Sequence, residues 1–212
     1  NLCVNVMFLG APPSHGSFRE FISHKALFVH KLPENASFED GACIEPLAVG
    51  YHAIERAGIR PGDRVLVTGA GPIGLLSMMF ARIAGADVSI TDTDGYRLRI
   101  GREMGVSRAI NVAHEELPKN RYDCIVEATG SNDIYPSIIG ALRKGGRIAI
   151  VGMSNGTPLV DLTSLMRKEA SLFTVYRYAN SFQPVLRLLE AGRIDVKPLV
   201  SHRFPLNKIV SA

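Results

Sequence analysis

The stretch RVLVTGAGPIG, residues 64–74, decides the fold of this chain. The run of β-branched residues at its start predicts a buried strand over Arg64–Thr68, and an apolar helix is predicted over Pro72–Ala84. A glycine turn of the form G-x-G-x-x-G is weak evidence by itself. It becomes specific where it follows a strand and opens a helix, because in that context such a turn binds a dinucleotide.

Each residue of the turn meets a physical demand of that function. Gly69 permits the tight turn, Gly71 lets backbone N–H groups approach a pyrophosphate, and Gly74 allows the helix to pack closely on the strand. Pro72 suits the first helical turn because it has no N–H to leave unpaired. The helix N-terminus then offers free donors and partial positive charge to the anion.

An acidic residue about 20 positions further on is the second requirement for dinucleotide binding. Asp92, which ends the strand DVSITD, meets it. A carboxylate there accepts hydrogen bonds from the ribose hydroxyls and repels a 2′-phosphate, which favours NAD over NADP. Arg97 leaves two alternatives open, since its guanidinium can stack on adenine or pair with a phosphate. A glycine turn that only links strand to helix is the structural alternative to a cofactor site.

On both sides of this turn, short β-branched runs alternate with helical stretches. Further strands are predicted over 87–91, 108–112, 122–127, 147–151 and 172–176, and further helices over 46–58, 95–104, 133–143 and 182–190. The alternation predicts parallel βαβ units, and hence an α/β fold with a doubly wound Rossmann sheet. The first forty-odd residues, with short mixed segments at 18–22 and 27–31, predict short strands and turns.

Composition excludes several classes of protein. The 212 residues carry a net charge of +4 in scattered positions, which argues against nucleic-acid or membrane partners. The three cysteines do not form a disulfide pattern, so a reducing cytoplasm is expected. Because the chain starts at Asn1 without a signal peptide, we interpret it as the later part of a longer polypeptide.

Several short motifs together carry a family resemblance. They are Asn1-Leu2-Cys3, Lys31-Leu32-Pro33, EPLAVG at 45–50, the glycine turn, Thr91-Asp92, Glu127-Ala128-Thr129-Gly130, Tyr176-Arg177-Tyr178 and HRFPL at 202–206. In this order they resemble the zinc-dependent medium-chain dehydrogenases, specifically the sorbitol (polyol) dehydrogenase branch. The glycine turn is shared across that superfamily, whereas EPLAVG, the Arg-Tyr pair and HRFPL are typical of the polyol enzymes.

The resemblance implies a two-domain enzyme with a catalytic zinc that binds the substrate hydroxyl at an open coordination position. Residues 1–47 and 178–212 would be remnants of a β-rich GroES-like catalytic domain, and residues 48–177 the NAD-binding domain. In the family a Cys and a His-Glu pair that precede this stretch hold the zinc. Cys3 matches the last cysteine of a structural zinc lobe, but branch members differ in keeping that lobe, so its metal role stays open.

The resemblance also implies site residues. Glu45 would lie beside the zinc, contacting it through water or hydrogen-bonding the substrate; the alternative is a first-turn carboxylate stabilised by the helix dipole. Arg177 would reach cofactor and substrate and Tyr178 the substrate hydroxyls; the alternative is a surface arginine and a half-buried tyrosine. Further cofactor contacts are expected at Ile73, Thr129, Val151, Gly152, Met153, Val175 and Tyr176.

The functional prediction is zinc-assisted hydride transfer between NAD and a polyol, giving a ketose. The first alternative is another secondary alcohol or an amino-alcohol of the butanediol or threonine type. The second alternative is a fragment that binds NAD without catalysis. The partner would be a small-molecule substrate, and the complete enzyme would be a dimer or tetramer, as family members usually are.

Overall fold

The computed structural model describes residues 2–211, so Asn1, the first residue of the Asn1-Leu2-Cys3 motif, lies outside the described residues. Strands and helices alternate along most of this range. The strands are β1 (Arg64–Thr68), β2 (Asp87–Asp92), β3 (Arg108–Asn111), β4 (Tyr122–Glu127), β5 (Leu142–Ile150) and β6 (Ser171–Thr174). The helices are α1 (Phe38–Ala57), α2 (Pro72–Ile83), α3 (Gly95–Glu103), α4 (Tyr135–Ala141), α5 (Leu162–Arg167) and α6 (Phe182–Glu190). Short 3₁₀ helices cover Ala26–Phe28, Lys197–Leu199 and Leu206–Ser211.

The six strands form one sheet in the order β3-β2-β1-β4-β5-β6, and every neighbouring pair is parallel. This is the doubly wound arrangement, and it confirms the predicted Rossmann fold. The strand order reverses between β1 and β4. Ligands of such sheets bind outside the carboxyl ends of the strands at this reversal, so the fold itself marks the place to look for a site.

The core lies on both faces of the sheet. Val65 and Val67 of β1 point to one side and pack with α1, α2, α3 and α6, whereas Leu66 points to the other and packs with α4 and α5. This alternation follows from the two-residue period of a strand. Residues 74–81 of α2 are all buried, which explains why this helix is apolar around its whole circumference. No helix within residues 2–211 is both long enough and apolar enough to cross a membrane.

Helix α1 corrects one prediction. It begins at Phe38, eight residues before the predicted start at Pro46, and continues through that proline. Ser37 and Asp40 form a capping box: the Asp40 N–H donates to Ser37 Oγ at 3.1 Å, and the Ser37 N–H donates to Asp40 Oδ2 at 2.8 Å. Glu45 therefore lies inside the helix, and the alternative of a first-turn carboxylate is wrong. The predicted domain boundary after residue 47 falls within α1, and the division into domains stays a prediction.

The short strands expected within the first forty residues are wrong for the described part of that region. Residues 18–22 and 27–31 contain no strand, because an extended segment forms one only when a second segment pairs with it. Strand β6 ends at Thr174, two residues early. The Val175 N–H still donates to the Ile150 carbonyl at 2.9 Å, but Arg177 then turns the chain with a left-handed φ of +64°.

Two helices, α4 and α5, also differ from the sequence prediction. The crossover from β3 to β4, residues 112–121, where no helix was predicted, contains turns and no helix, and its Leu117 packs on the core that includes Leu66. Helix α4 is shorter than predicted because Leu142 already pairs with Tyr122 in the sheet. Helix α5 was not predicted; its N-terminus is capped by Asp161, whose Oδ1 accepts from the Ser164 N–H at 3.0 Å.

Candidate functional site

The glycine turn after β1 has the geometry that its sequence predicts. Gly69 has a φ of +88°, which side-chain-bearing residues rarely adopt, and its N–H donates to the Thr91 carbonyl at 2.8 Å. A Cβ on Gly74 would lie 1.8 Å from the Gly69 carbonyl oxygen. The start of α2 therefore packs directly against the turn, and this close contact requires the absence of a side chain at Gly74.

The N-terminus of α2 opens onto free space. Gly71 is the N-cap residue with no side chain to cap the helix, and Pro72 is the first helical residue. A Cβ added to Gly71 would meet no atom within 4 Å, so the space above the first turn is open. Unpaired backbone donors of a helix N-terminus next to such a space suit a pyrophosphate. Ile73 lies half-buried beside this opening.

Asp92 at the end of β2 is joined to the glycine turn. Its Oδ2 accepts from the Ala70 N–H at 2.8 Å, and its Oδ1 accepts from the Asp94 N–H at 2.9 Å. The side chain is only 9% exposed. Each carboxylate oxygen has two lone pairs, so one acceptor position on each oxygen remains for a ligand hydroxyl. The carboxylate thus has the position and the spare capacity to bind a ribose.

Arg97 lies on the solvent side of that carboxylate. Its guanidinium is 3.9 Å from Asp92 Oδ2 and 3.7 Å from Asp94 Oδ2, and 55% of the side chain is exposed. These contacts are long and partly solvated, so they hold the guanidinium weakly. The arrangement leaves Arg97 free to reach a ligand, and both alternatives, adenine stacking and phosphate pairing, remain open.

The ends of β4 and β5 meet at the same edge of the sheet. The N–H groups of Val151 and Gly152 donate to the Glu127 carbonyl at 2.8 and 3.0 Å, so the loop after β5 is joined to the last residue of β4. Thr129 and Met153 are exposed on these loops. The predicted contact residues Thr129, Val151, Gly152 and Met153 therefore lie together, beyond the carboxyl ends of the strands.

Glu45 of α1 and Tyr178, which are 133 positions apart, lie together. Burial raises the pKa of Tyr178 to about 12, and the charge and hydrogen bonding of the Glu45 carboxylate add to the rise. The Tyr178 ring stacks on Phe182 at a centroid distance of 5.3 Å. The two residues predicted to contact substrate thus form one polar pair, held on its apolar side by α6.

Arg177 is placed by aromatic rings. Its guanidinium carbon is 3.4 Å from the Phe8 ring centroid and 4.6 Å from that of Tyr176, and its Nη2 donates to the Tyr176 hydroxyl at 2.9 Å. Val175 is half-buried and Tyr176 is 49% exposed. Arg177 is therefore a partly buried residue with defined contacts, Tyr178 is half-buried, and the roles of both toward cofactor and substrate stay predictions.

The described residues do not form a complete metal site. Within residues 2–211, no three His, Cys, Asp or Glu side chains are close enough together to hold a metal ion. Cys3 is an exposed free thiol, and Glu45 is exposed near Tyr178. A zinc ion therefore does not fit the side chains of this chain alone, and the metal roles of Cys3 and Glu45 stay predictions.

Glu127 belongs to a motif of the family resemblance but was not predicted as a site residue. Its side chain is completely buried, and Oε1 accepts from the backbone N–H groups of Thr129 at 2.7 Å and of Gly130 at 3.1 Å. The available signal was a carboxylate at the end of the otherwise apolar strand YDCIVE, directly before a turn. Charged residues are seldom fully buried without a partner, so such a position is informative.

Known proteins resemble this chain over most of its length. Sorbitol dehydrogenase of Bos taurus is 37% identical over all of the chain, and sorbitol dehydrogenase of Arabidopsis thaliana is 38% identical over 96% of it. The chain spans 63% and 60% of these two relatives. The relatives confirm the resemblance to the sorbitol dehydrogenase branch.

A solved structure and a family match complete the comparison. The chain superposes with a TM-score of 0.88 and 26% identity on an Escherichia coli CFT073 alcohol dehydrogenase solved with NADH, over 93% of this chain and 61% of that one. Residues 72–191, more than half of the chain, match the family described as zinc-binding dehydrogenase. This protein belongs to the zinc-binding dehydrogenase family.

Proposed function

We propose that this chain supplies the cofactor-binding part of an NAD-dependent dehydrogenase that interconverts a polyol and a ketose. The observation that carries the proposal is the glycine turn joined to Asp92. One hydrogen bond, from the Ala70 N–H to the Asp92 carboxylate at 2.8 Å, fixes a ribose acceptor beside the open space over Gly71. A turn that only linked strand to helix would need neither the carboxylate nor the open space.

The residues that would hold NAD follow from this arrangement. The first turn of α2, from Gly71 to Ile73, would bind the pyrophosphate, and Asp92 the adenosine ribose, with Arg97 closing that side. The loops after β4 and β5 would hold the nicotinamide half, with contacts from Thr129, Val151, Gly152 and Met153. Residues 175–177, which follow β6, complete this side. Bound NAD supplies the hydride acceptor.

Glu45 and Tyr178 are the side chains best suited to a polyol. A carboxylate accepts hydrogen bonds, and a tyrosine hydroxyl with a pKa of about 12 keeps its proton at neutral pH and can donate. When Tyr178 donates to a substrate hydroxyl in place of Glu45, the pair offers that donor and the freed carboxylate acceptor to neighbouring hydroxyls, beside the guanidinium of Arg177. The similarity to two sorbitol dehydrogenases supports this substrate class over a simple secondary alcohol or an amino-alcohol.

The only support for zinc binding is the family to which the chain belongs. The described side chains do not complete a zinc site, so we assign no step to the metal, and Glu45 is proposed as an outer neighbour of it. Cytoplasmic location and a dimer or tetramer remain predictions from cysteine usage and from the resemblance.

The test has two parts. Titration with NADH, followed by its fluorescence, measures cofactor binding to the chain. NAD-dependent oxidation of sorbitol, xylitol, butanediol and threonine, with zinc present, measures the substrate class. We expect saturable NADH binding, tighter than NADPH binding, and higher rates on the two polyols wherever turnover occurs. Absence of NADH binding, or a preference for butanediol or threonine, contradicts the proposal.

Metal retention separates the enzyme from the non-catalytic alternative. Since no three-ligand group exists within residues 2–211, the 212-residue chain should not retain zinc after dialysis. NADH binding with neither retained zinc nor turnover would mean that these residues act as a nucleotide-binding part. Retained zinc together with polyol oxidation would mean that they act as an enzyme.

A further inference from the structure

Glu127 is a completely buried carboxylate at the carboxyl end of β4, beneath the loops that follow β4 and β5. It ends β4, where Cys124, Ile125 and Val126 before it are buried and apolar. No ion pair of Glu127 occurs within residues 2–211. Burying a carboxylate without an opposite charge is costly unless hydrogen bonds compensate for the loss of water, so a specific role is expected for the residue.

The two oxygens of this carboxylate have different surroundings. Oε1 accepts three hydrogen bonds, from the Thr129 N–H, the Thr129 hydroxyl and the Gly130 N–H. Oε2 has no hydrogen-bond partner among the described residues. A Cβ on Gly152 would lie 2.7 Å from this oxygen. One oxygen therefore holds the loop after β4, and the other fills the space beneath the loop after β5.

The two loops interlock around the carboxylate. A Cβ on Gly152 would lie 2.2 Å from the Gly130 nitrogen, and a Cβ on Gly130 would lie 2.4 Å from the Met153 carbonyl oxygen. The Glu127 carbonyl also accepts from the N–H groups of Val151 and Gly152. Glu127 thus contacts both loops, one through its side-chain hydrogen bonds and the other through its main chain and the packing of Oε2.

The position of the loops after β4 and β5 in the sheet indicates which half of the cofactor they would bind. A doubly wound sheet binds the two nucleotides of a dinucleotide on opposite sides of the strand reversal. Asp92 places the adenosine side over β1 and β2, so the nicotinamide side lies over β4 and β5. We propose that Glu127 is a positioning residue for the nicotinamide half, an inference that rests on the proposed NAD binding.

Two variants and two ligands test this role. AMP occupies only the adenosine half, whereas NADH occupies both. Glu127→Met removes every acceptor at nearly constant length and leaves the N–H groups of Thr129 and Gly130 unsatisfied, and we expect NADH binding to weaken about tenfold or more. Glu127→Gln keeps one acceptor oxygen and should restore most of the affinity. AMP binding should change by less than about twofold in both, because distant sites contribute independently.

The outcomes are distinguishable. If wild-type chain binds neither AMP nor NADH, the proposed function fails and this inference with it. If wild type binds both ligands but Glu127→Met weakens them equally, or weakens neither, the positioning role alone is overturned. Should Glu127→Met fail to fold by circular dichroism, Glu127→Asp, which keeps the carboxylate but shortens its reach to the N–H groups of Thr129 and Gly130, decides instead. A selective loss of NADH affinity supports the role, and unchanged affinities overturn it.

Discussion

The two sides of the candidate site are built in different ways. The side proposed for adenosine comes from one continuous segment, from β1 through Arg97, and its residues contact each other across short loops. The side proposed for nicotinamide and substrate depends on contacts between distant parts of the chain, Glu127 with Gly152 and Glu45 with Tyr178. Local sequence specifies the first side, whereas the order of strands in the sheet specifies the second. Mutations should therefore act locally on one side and through the packing of several elements on the other.

Gly74→Ala should have the largest effect, because it adds a side chain where α2 packs against the glycine turn. A Cβ would overlap the Gly69 carbonyl oxygen at 1.8 Å, so the turn must open or α2 must move. We expect a loss of about 3 kcal/mol in the free energy of unfolding, measured with urea. NADH affinity should fall at least about a hundredfold.

Gly95→Ala is the matched control for that variant. Gly95 is the first residue of α3, and a Cβ there would meet nothing within 4 Å. Alanine is the better helix former, so stability should stay equal or rise slightly. If both variants behave alike, the close approach at Gly74 is not what fixes the glycine turn.

Asp92→Asn should have the next largest effect and stay confined to the adenosine side. The variant lacks the negative charge that repels a 2′-phosphate, and an amide nitrogen replaces one acceptor oxygen. We expect NADH affinity to fall about tenfold and the preference for NADH over NADPH to narrow. Asp94→Asn is the control, because asparagine still caps α3 at that exposed position. Equal losses in the two variants would show that general charge, and not the ribose contact, decides affinity.

The difference between the two sides also explains which features could be predicted from the sequence and which could not. The six strands, the parallel sheet and the positions of Gly69, Gly74 and Asp92 follow from short-range patterns, and the structure confirms them. Glu45 and Tyr178 were proposed as site residues only by family resemblance. No pattern in the residues themselves indicates that positions so far apart meet.

The missed features have identifiable physical causes. Helix α1 begins at the capping box of Ser37 and Asp40 and continues through Pro46, a residue that a propensity argument places at a helix start. Glu127 was read as part of a strand, since its burial depends on two loops that arrive from elsewhere in the sheet.

Tyr178 gives a pH test of the side assembled from distant segments. Its pKa is raised to about 12 by burial and by Glu45, with Arg177 opposing the shift. An unfolded tyrosine ionises near pH 10, so the unfolded chain releases its proton first. The contribution of Tyr178 to stability is therefore complete below about pH 10 and is lost as the pH rises towards about 12.

Two variants isolate that contribution. Tyr178→Phe should flatten the decline in the free energy of unfolding over this pH range, and Glu45→Gln should reduce it in part, because the pKa of Tyr178 then falls towards its ordinary value. Phenolate absorbance measures the pKa of Tyr178. The pKa values of Tyr51 and Tyr135 are also raised, and subtracting the titration curve of Tyr178→Phe from that of wild type removes their contributions. If Glu45→Gln leaves the pKa of Tyr178 unchanged, the two residues are not a functional pair.

Ser37→Ala should have the smallest effect. It tests whether a local helix cap influences the side of the site that is assembled from distant segments. Ser37 caps α1, the helix that carries Glu45, and Ser37→Ala removes the acceptor for the Asp40 N–H. We expect a loss of about 1 kcal/mol in the free energy of unfolding, measured by thermal denaturation. Ser107→Ala, at an exposed serine outside any helix or strand, should change stability little. If the pKa of Tyr178 also falls in Ser37→Ala, the cap helps hold Glu45 against the tyrosine. An unchanged pKa would mean that packing of α1 against the rest of the fold is sufficient for this.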